Sequence, residues 1–389
     1  MTRSLPLLLA VLLVPVPASA RQAPTVPERR LERPEARWTE PFSLVAGVRE
    51  LPDRRVMVSD GIEETVQILD LAAGRATAVG RPGAGPGEYK GPDALYPLPG
   101  GATLLVDLGN GRLSVFGPDG RFRTATPIAQ GSPGGGPGSL RIVMPRAVDS
   151  QGRIYFQPPG RPGADGPIPD SAAILRYDMQ ASRFDTVAFV KVAPPVVRTS
   201  GTADNQNIRA MPRPYPVQDG WTIAPDGRLA IVRGTGYRLE WVTPSGRVAG
   251  PPVRFRAVPI RPADRQAWAA TLAGGLAMSM ENRNGEITTS FSRGRPGQQQ
   301  PDLTGVEFPA EKPPFLSSGV LATPEGEVWV ERHVPAGQAR EYDTFDARGI
   351  RTGRVILQPR SRVVAFGAGA VYVVRLDADD LQHLERYRR

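Results

Sequence analysis

The chain has 389 residues, a formal net charge of +9 and no cysteine. The absence of cysteine excludes disulfides, thiol chemistry and lipid attachment through a cysteine. Its 43 glycines and 42 prolines favour many turns over long helices.

The first twenty residues have the pattern of a secretory signal peptide. Arg3 provides a short positive region, Leu5–Val14 an apolar core and Ala18-Ser19-Ala20 a small-residue cleavage site. The core is too short to span a bilayer comfortably, and no later stretch is apolar enough to do so. We therefore expect a periplasmic or secreted protein without a transmembrane segment in the mature chain. Residues 21–35, rich in Pro, Arg and Glu, are predicted to be a flexible linker.

The best-defined stretch of the chain is a pair of hairpins. The apolar strand Ala102–Asp107 is followed by the turn Leu108–Gly111, and the alternating strand Arg112–Phe116 by the tight turn Gly117–Gly120. Glycine closes that turn, where positive φ is needed. A further strand begins at Arg121, so the pattern predicts an antiparallel sheet.

The same unit occurs six times. The first turns of the six units fall near residues 53, 100, 151, 226, 325 and 368. Their common interval is about 45–50 residues, which is typical of a propeller blade. We therefore predict an all-β fold, namely a six-bladed β-propeller of four-stranded antiparallel blades, which occupies residues 36–389 as one domain.

The chain ends are predicted to meet in the last blade. Six first turns are present but only five last turns, since the sixth unit stops at Tyr387. Trp38–Leu44 has the character of a lone strand. Pairing it with the last blade would close the ring and remove two exposed sheet edges.

Three segments are longer than the blade spacing requires. Links between blades, and loops between second and third strands, emerge on the same side of a propeller, here named the loop-bearing face. Loops on a rigid scaffold are common binding sites. The insertion Pro259–Phe315 is predicted to begin with a short helix between blades 4 and 5, because Pro262 suits a first helical turn and Trp268, Leu272 and Leu276 share a face. The three segments are Pro158–Ser171, the Pro-rich loop Ala193–Gln218 and Pro259–Phe315.

The second unit resembles an NHL-type repeat. In that family an Asp ends the second strand, a Gly-Asn-x-Arg turn follows, and a Phe-x-Pro-Asp-Gly turn ends the third. Here Asp107, Gly109–Arg112 and Phe116–Gly120 match, and Gly80–Ala94 resembles the Gly- and Pro-rich spacer between such blades. The overall pattern is similar to secreted bacterial six-bladed propellers, which implies the fold. The glycines of the spacer are not a dinucleotide loop, because Pro86 interrupts them and a strand follows.

Residues capable of catalysis or metal binding are sparse. Only His333 and His383 are present, so a three-histidine zinc site is impossible and a catalytic triad would need one of these two. Both fit loop or surface positions. Asp60, Asp107 and Asn110 have the oxygen ligands that calcium prefers. Cationic residues at the matching positions of later blades oppose a dication, so we predict no metal and no cofactor.

The ends of the six second strands form the predicted ligand site. Arginine suits an anionic ligand because its planar guanidinium binds carboxylates through two hydrogen bonds. We predict an acidic glycan or a peptide carboxylate held by Arg233 and Arg332. The alternative is that each arginine pairs with a neighbouring carboxylate, such as Glu331 or Asp377, and braces the blades. The six predicted site residues are Asp60, Asp107, Gln157, Arg233, Arg332 and Arg375.

The basic composition does not predict nucleic-acid binding. All but three of the 48 basic residues are arginines, and they are dispersed over all six units without an aromatic-interleaved stripe. We expect an exported, monomeric, non-catalytic binding module whose partner is a small anionic ligand, a glycan or a protein. Two alternatives stay open on the same fold: a propeller enzyme of lactonase or lyase type, and a protein-interaction platform in the cell envelope.

Overall fold

The computed structural model describes residues 26–131, 141–158, 169–202, 205–283, 286–294 and 303–389. Six blades surround a central channel, and the first strands of neighbouring blades pack side by side around it. Each blade has four antiparallel strands, and blade 5 carries an additional parallel strand at its outer edge. The predicted six-bladed propeller is thus confirmed. No helix in the described ranges is long and apolar enough to cross a membrane.

The first three blades follow the chain order from the channel outward. In blade 1 the strands are Val45–Glu50, Val56–Asp60, Thr65–Asp70 and Arg75–Ala78. In blade 2 they are Pro92–Pro97, Thr103–Asp107, Arg112–Phe116 and Phe122–Pro127. In blade 3 they are Ala147–Val148, Ile154–Phe156, Ser171–Asp178 and Arg183–Lys191.

The last three blades use the same order, except that the N-terminal segment contributes to two of them. Blade 4 consists of Gly220–Ile223, Leu229–Arg233, Arg238–Thr243 and Gly246–Ala249. Blade 5 consists of Phe315–Ala322, Val328–Arg332, Glu341–Phe345, Arg351–Ile356 and the parallel edge strand Glu28–Arg30. Blade 6 consists of Ser361–Gly367, Ala370–Leu376, Gln382–Arg388 and Ala36–Arg37.

The hydrophobic core is divided among the six interfaces between blades. Successive side chains of a strand point to opposite faces of its sheet, so each blade contributes to two clusters. In blade 1, Val56 and Val58 pack toward blade 6, whereas Met57 packs toward blade 2. The other four interfaces have equivalent clusters. This two-sided burial explains why the second strands are nearly continuous apolar runs.

The N-terminal segment differs from the prediction in two respects. The outer strand of blade 6 was expected at Trp38–Leu44 but lies at Ala36–Arg37, and Trp38 and Phe42 continue the pairing as separate contacts. Pro41 lies between them and has no N–H to donate, which prevents a continuous ladder. The predicted linker also contains a strand, because Glu28–Arg30 pairs with the edge of blade 5. That this segment holds the ring closed stays a prediction.

The insertions fold more regularly than expected. The helix Pro262–Ala273 confirms the predicted helical insertion, although Leu276 belongs to the following strand. Ala193–Gln218, predicted as a Pro-rich loop, contains two strands, because its prolines flank an interior without any. Two hairpins from different links form one extra sheet, the insertion sheet: Val196–Thr202, Asn205–Met211, Leu276–Arg283 and Glu286–Arg293.

The remaining elements are short. Most of the predicted insertion Pro158–Ser171 lies outside the described residues. A 3₁₀ turn covers Pro99–Gly101. The short pairs are Arg81–Pro82 with Glu88–Tyr89, Ala129–Gln130 with Arg141–Ile142, and Val258–Pro259 with Glu311–Lys312.

Candidate ligand site at the channel mouth

Asp60, at the end of the second strand of blade 1, is a buried structural carboxylate. It accepts hydrogen bonds from the backbone N–H groups of Ser43 (2.8 Å) and Leu44 (3.2 Å), which lead into the first strand. It also accepts the N–H groups of Ile62 and Glu63, in the turn that follows. Asp60 therefore joins two segments of its own blade, and its oxygens are occupied by backbone donors.

The NHL-like turn of blade 2 holds the Gly- and Pro-rich spacer. Asp107 accepts the Lys90 N–H at 2.8 Å, and the Asn110 amide donates to both Asp107 and Gly83 O. Arg112 donates to three further carbonyl oxygens of the spacer, including Glu88 O at 2.7 Å. The residues that identify this repeat thus serve to fix the link between blades 1 and 2, rather than to present a calcium site.

The three predicted ligand-binding arginines all have carboxylate partners. Arg233 lies 2.7 Å from Asp219 and 2.6 Å from Glu240. Burial alone would lower the pKa of Arg233, but its hydrogen bonds to these two carboxylates outweigh burial and raise it. Arg375 lies 3.0 Å from the buried Glu385. These contacts favour the bracing alternative for Arg233 and Arg375.

Arg332 belongs to a cluster around the fully buried carboxylate of Asp343. Arg332 approaches Asp343 to 3.1 Å, and Arg351 and Arg354 lie 3.6 Å away. The Tyr237 hydroxyl of blade 4 donates to the same carboxylate at 2.8 Å. Burial raises the pKa of Tyr237 well above its ordinary value, and the Asp343 charge adds to this. Asp343 therefore connects blades 4 and 5.

The carboxylates named as bracing partners from the sequence were the wrong ones. Glu331 pairs with Arg340 at 2.7 Å rather than with Arg332, because neighbouring residues of a strand point to opposite faces. Asp377, in the loop between the second and third strands of blade 6, lies 2.8 Å from His383 on the third strand. The six predicted site residues are all described, and no hydrogen bond or ion pair joins any two of them.

Gln157, the remaining predicted site residue, contacts an aromatic ring. The same ring also contacts an arginine that the sequence analysis missed. Its Oε1 accepts the indole N–H of Trp221 at 3.0 Å. The guanidinium of Arg146 lies over the same buried indole, 4.9 Å from the ring centroid. Arg146 immediately precedes the first strand of blade 3 and donates to Ser317 O of blade 5 at 2.6 Å. It therefore reaches past blade 4 at the channel mouth.

Ser317 can accept this bond because the first strand of blade 5 is irregular. Its register shifts between Phe315 and Val320, which leaves intervening backbone groups outside the ladder. The Ser317 hydroxyl also accepts a hydrogen bond from the Gln218 amide at 2.6 Å. Arg146, Gln157, Trp221, Gln218 and Ser317 thus form a polar cluster, here named the mouth cluster, on the channel side of blades 3 to 5.

Arg146 differs electrostatically from the three predicted arginines. Burial lowers the pKa of Arg146 to about 10, and no carboxylate within the described ranges pairs with it. It remains charged at neutral pH, held by an aromatic face and one carbonyl oxygen. A charged group in this setting gains from an anionic partner, because Coulomb attraction is stronger where water is excluded.

A buried ion pair fastens the insertions to blade 5. Lys312 and Asp264 are both almost fully buried and lie 2.7 Å apart, and the Tyr215 hydroxyl donates to Asp264 O at 2.6 Å. Burial raises the pKa of the Asp264 carboxyl, but hydrogen bonds from Lys312 and from the backbone outweigh burial and hold it below its ordinary value. One of those bonds comes from Ala336 N–H in the loop of blade 5.

His333 belongs to the same anchor, where its ring is held by a backbone carbonyl and an aromatic neighbour. Its Nδ1–H donates to Pro313 O at 2.9 Å, and the ring packs edge-on against Tyr215. Burial lowers the pKa of His333 to about 4, and the nearby Lys312 charge adds to this. Within the described part of the chain, no group of three or more His, Cys, Asp or Glu side chains could hold a metal ion.

The His333 environment predicts a pH-dependent stability. An unfolded histidine titrates near pH 6.5, whereas the folded one stays neutral to about pH 4. The unfolded state therefore binds more protons between these values, and stability is full above pH 6.5 and falls as the pH drops toward 4. The expected loss is about 3 kcal/mol.

Urea unfolding at pH 7.5 and pH 4.5 measures this effect, with the His333→Gln variant as the comparison because glutamine does not titrate. Carboxylates contribute equally to both proteins, so the difference between their pH dependences isolates His333. Equal pH dependence in the two proteins would contradict the prediction that the lowered pKa of His333 makes stability depend on pH.

The signal for Arg146 was present in the sequence. The prediction considered only the ends of second strands, whereas the first strand of each blade lines the channel. Counting back from the turn Asp149–Gly152 places Pro145 and Arg146 just before the first strand of blade 3. Only the structure reveals that Arg146 has no carboxylate partner among the described residues.

The chain resembles solved propellers of several kinds at low identity. An exported-type protein of Bacteroides fragilis is 11% identical, with coverage of 93% of this chain and 99% of that one and a TM-score of 0.45. A gluconolactonase of Xanthomonas campestris is 12% identical over 90% and 91%, with a TM-score of 0.40. The virginiamycin B lyase of Staphylococcus aureus is 12% identical over 90% and 96%, with a TM-score of 0.38.

These likenesses concern the overall fold and assign no ligand or activity to this chain. No protein-family model matches the sequence, and no curated protein matches it.

Proposed function

We propose that this protein is an exported, monomeric, non-catalytic β-propeller that binds an anionic ligand at the mouth cluster. The supporting observation is Arg146, a partly buried guanidinium at the channel without a carboxylate partner among the described residues. Export through residues 1–20 is part of the proposal, and that segment lies outside the described residues.

Arg146 suits an anion better than the arginines at the ends of the second strands. A ligand carboxylate at Arg233 or Arg332 would meet Asp219 or Asp343, each within 3.1 Å of the guanidinium. Like charges at that distance repel, so such a ligand would have to displace a structural ion pair. At Arg146 the incoming charge replaces no carboxylate, and the cost of desolvating the arginine has been met in folding.

The arginine is also pre-organised. Its guanidinium lies on the Trp221 ring, and its hydrogen bond to Ser317 O fixes the orientation of this planar group. Little side-chain freedom is left to lose on binding, which favours affinity. The planar fork favours a carboxylate over a single point charge. The proposed ligands are therefore an acidic sugar or the carboxylate end of a peptide.

A thermal-shift screen with uronic acids, uronate oligomers and short peptides tests this proposal. Ligands that raise the melting temperature of the wild type should lose the effect in Arg146→Gln, because removing a hydrogen bond between charged groups weakens binding roughly ten- to a hundredfold. The matched control is Arg233→Gln, which lies at the same mouth and should keep the ligand effect even though its own stability falls.

Two results would count against the proposal. One is a ligand-induced rise in melting temperature that persists in Arg146→Gln but disappears in an Arg233→Gln and Arg332→Gln double variant. It would place the ligand site at the ends of the second strands. Chemical turnover of a bound uronate or lactone would favour the enzyme alternative.

A further inference from the structure

We infer a second interaction surface on the link between blades 4 and 5, one that binds the surface of an anionic lipid bilayer. This stretch, here named the basic link, runs from Arg254 to Arg265 and contains four exposed arginines. Elsewhere the arginines of the blades generally face carboxylates, as Arg233 and Arg375 do. The four exposed arginines are Arg254, Arg256, Arg261 and Arg265.

None of these four pairs with a carboxylate in the described part of the chain. The acid inside the stretch, Asp264, is buried and already paired with Lys312. On the returning strand, Glu311 lies opposite Pro259, and both Glu311 and Glu307 are exposed. Four arginines against two glutamates leave a clear excess of positive charge, which attracts an anionic surface.

The basic link also presents an apolar group between charges. Phe255 stands between Arg254 and Arg256, and 44% of it is exposed although one edge faces the buried Tyr237 ring at 6.3 Å. An exposed aromatic side chain flanked by arginines suits a bilayer interface, where the ring enters the acyl boundary and the guanidinium groups bind phosphates. Phenylalanine has no hydrogen-bonding group, which favours a lipid over a hydrated polysaccharide.

The stretch is stiff enough to present these groups together. Pro259 and Pro262 restrict its backbone, and Pro251 and Pro252 restrict the residues that lead into it. Arg261 is the N-cap residue of the helix, and Arg265 lies in its first turns, so both are positioned by the start of this helix. Arg265 is further placed by Phe308, whose ring centroid lies 5.2 Å from its guanidinium. Ordering this surface on contact therefore costs little conformational entropy.

Co-sedimentation with vesicles tests the inference on the full mature chain. Vesicles of phosphatidylglycerol and phosphatidylcholine should bind the protein at low salt, and vesicles of phosphatidylcholine alone should not. The double variant Arg254→Gln and Arg256→Gln should bind at least roughly tenfold more weakly, since each basic residue near an anionic surface contributes substantially. Phe255→Ser should weaken binding while leaving its salt dependence unchanged.

The matched control carries the same change in net charge on the opposite face. Arg121 and Arg348 are 89% and 77% exposed and lie in turns between third and fourth strands, so Arg121→Gln with Arg348→Gln should bind vesicles as the wild type does. Equal weakening in both double variants would show a net-charge effect and overturn the inference. So would wild-type protein that does not bind the anionic vesicles, or binding to soluble alginate without binding to vesicles.

Discussion

A chain that begins at residue 45 should melt at least about 5 °C below a chain that begins at residue 26. The missing segment buries three large apolar side chains, those of Leu31, Trp38 and Phe42. Each is worth about 1.5–3 kcal/mol, and about 1–2 °C follows from each kcal/mol in a protein of this length. The deletion also exposes the edges of blades 5 and 6, which Glu28–Arg30 and Ala36–Arg37 cover.

Differential scanning calorimetry of the two chains measures this difference. The chain that begins at residue 26 is the control, because it retains both N-terminal strands. Equal melting temperatures would show that the N-terminal segment does not hold the ring closed. Aggregation on heating of the shorter chain would agree with exposed sheet edges.

The Asp343→Ala variant should lose about 3–5 kcal/mol of stability. The substitution leaves Arg332, with a side chain only 12% exposed, and the buried Tyr237 hydroxyl without their shared acceptor. Removing one partner of a buried charge network is costly, because the remaining charges cannot be resolvated.

Urea unfolding at pH 7 measures this loss, with Asp119→Ala as the control. Asp119 is 57% exposed and lies 3.8 Å from Arg121, so its loss should cost less than about 1 kcal/mol. A similar small loss in both variants would mean that Asp343 does not connect blades 4 and 5.

The fold was predictable because its determinants are local. Tight turns need glycine at positive φ, and Gly227 and Gly326, both at φ 86°, end the predicted turns of blades 4 and 5. Strand Arg112–Phe116 has the predicted bounds. The strands of the insertion sheet were missed because prolines near residues 194 and 212 dominate that segment, while pairing with Leu276–Arg283 is a distant contact.

The site was less predictable because it depends on contacts between blades. Equivalent positions in six repeats were expected to form one functional ring, but each has acquired its own local partner. Asp343 and Tyr237 are 106 residues apart, and Arg146 and Ser317 are 171 apart. Such pairs depend on the packing of the closed ring and on a strand irregularity, neither of which has a local sequence signal.

A crystal structure of the protein with bound D-glucuronate, or with a stronger acid from the screen, is the most direct test of the anion site. We predict the ligand carboxylate within hydrogen-bond distance of the Arg146 guanidinium, with the Arg233–Asp219 and Arg332–Asp343 ion pairs intact. A carboxylate bound instead at Arg233 or Arg332, with those ion pairs broken, would contradict it.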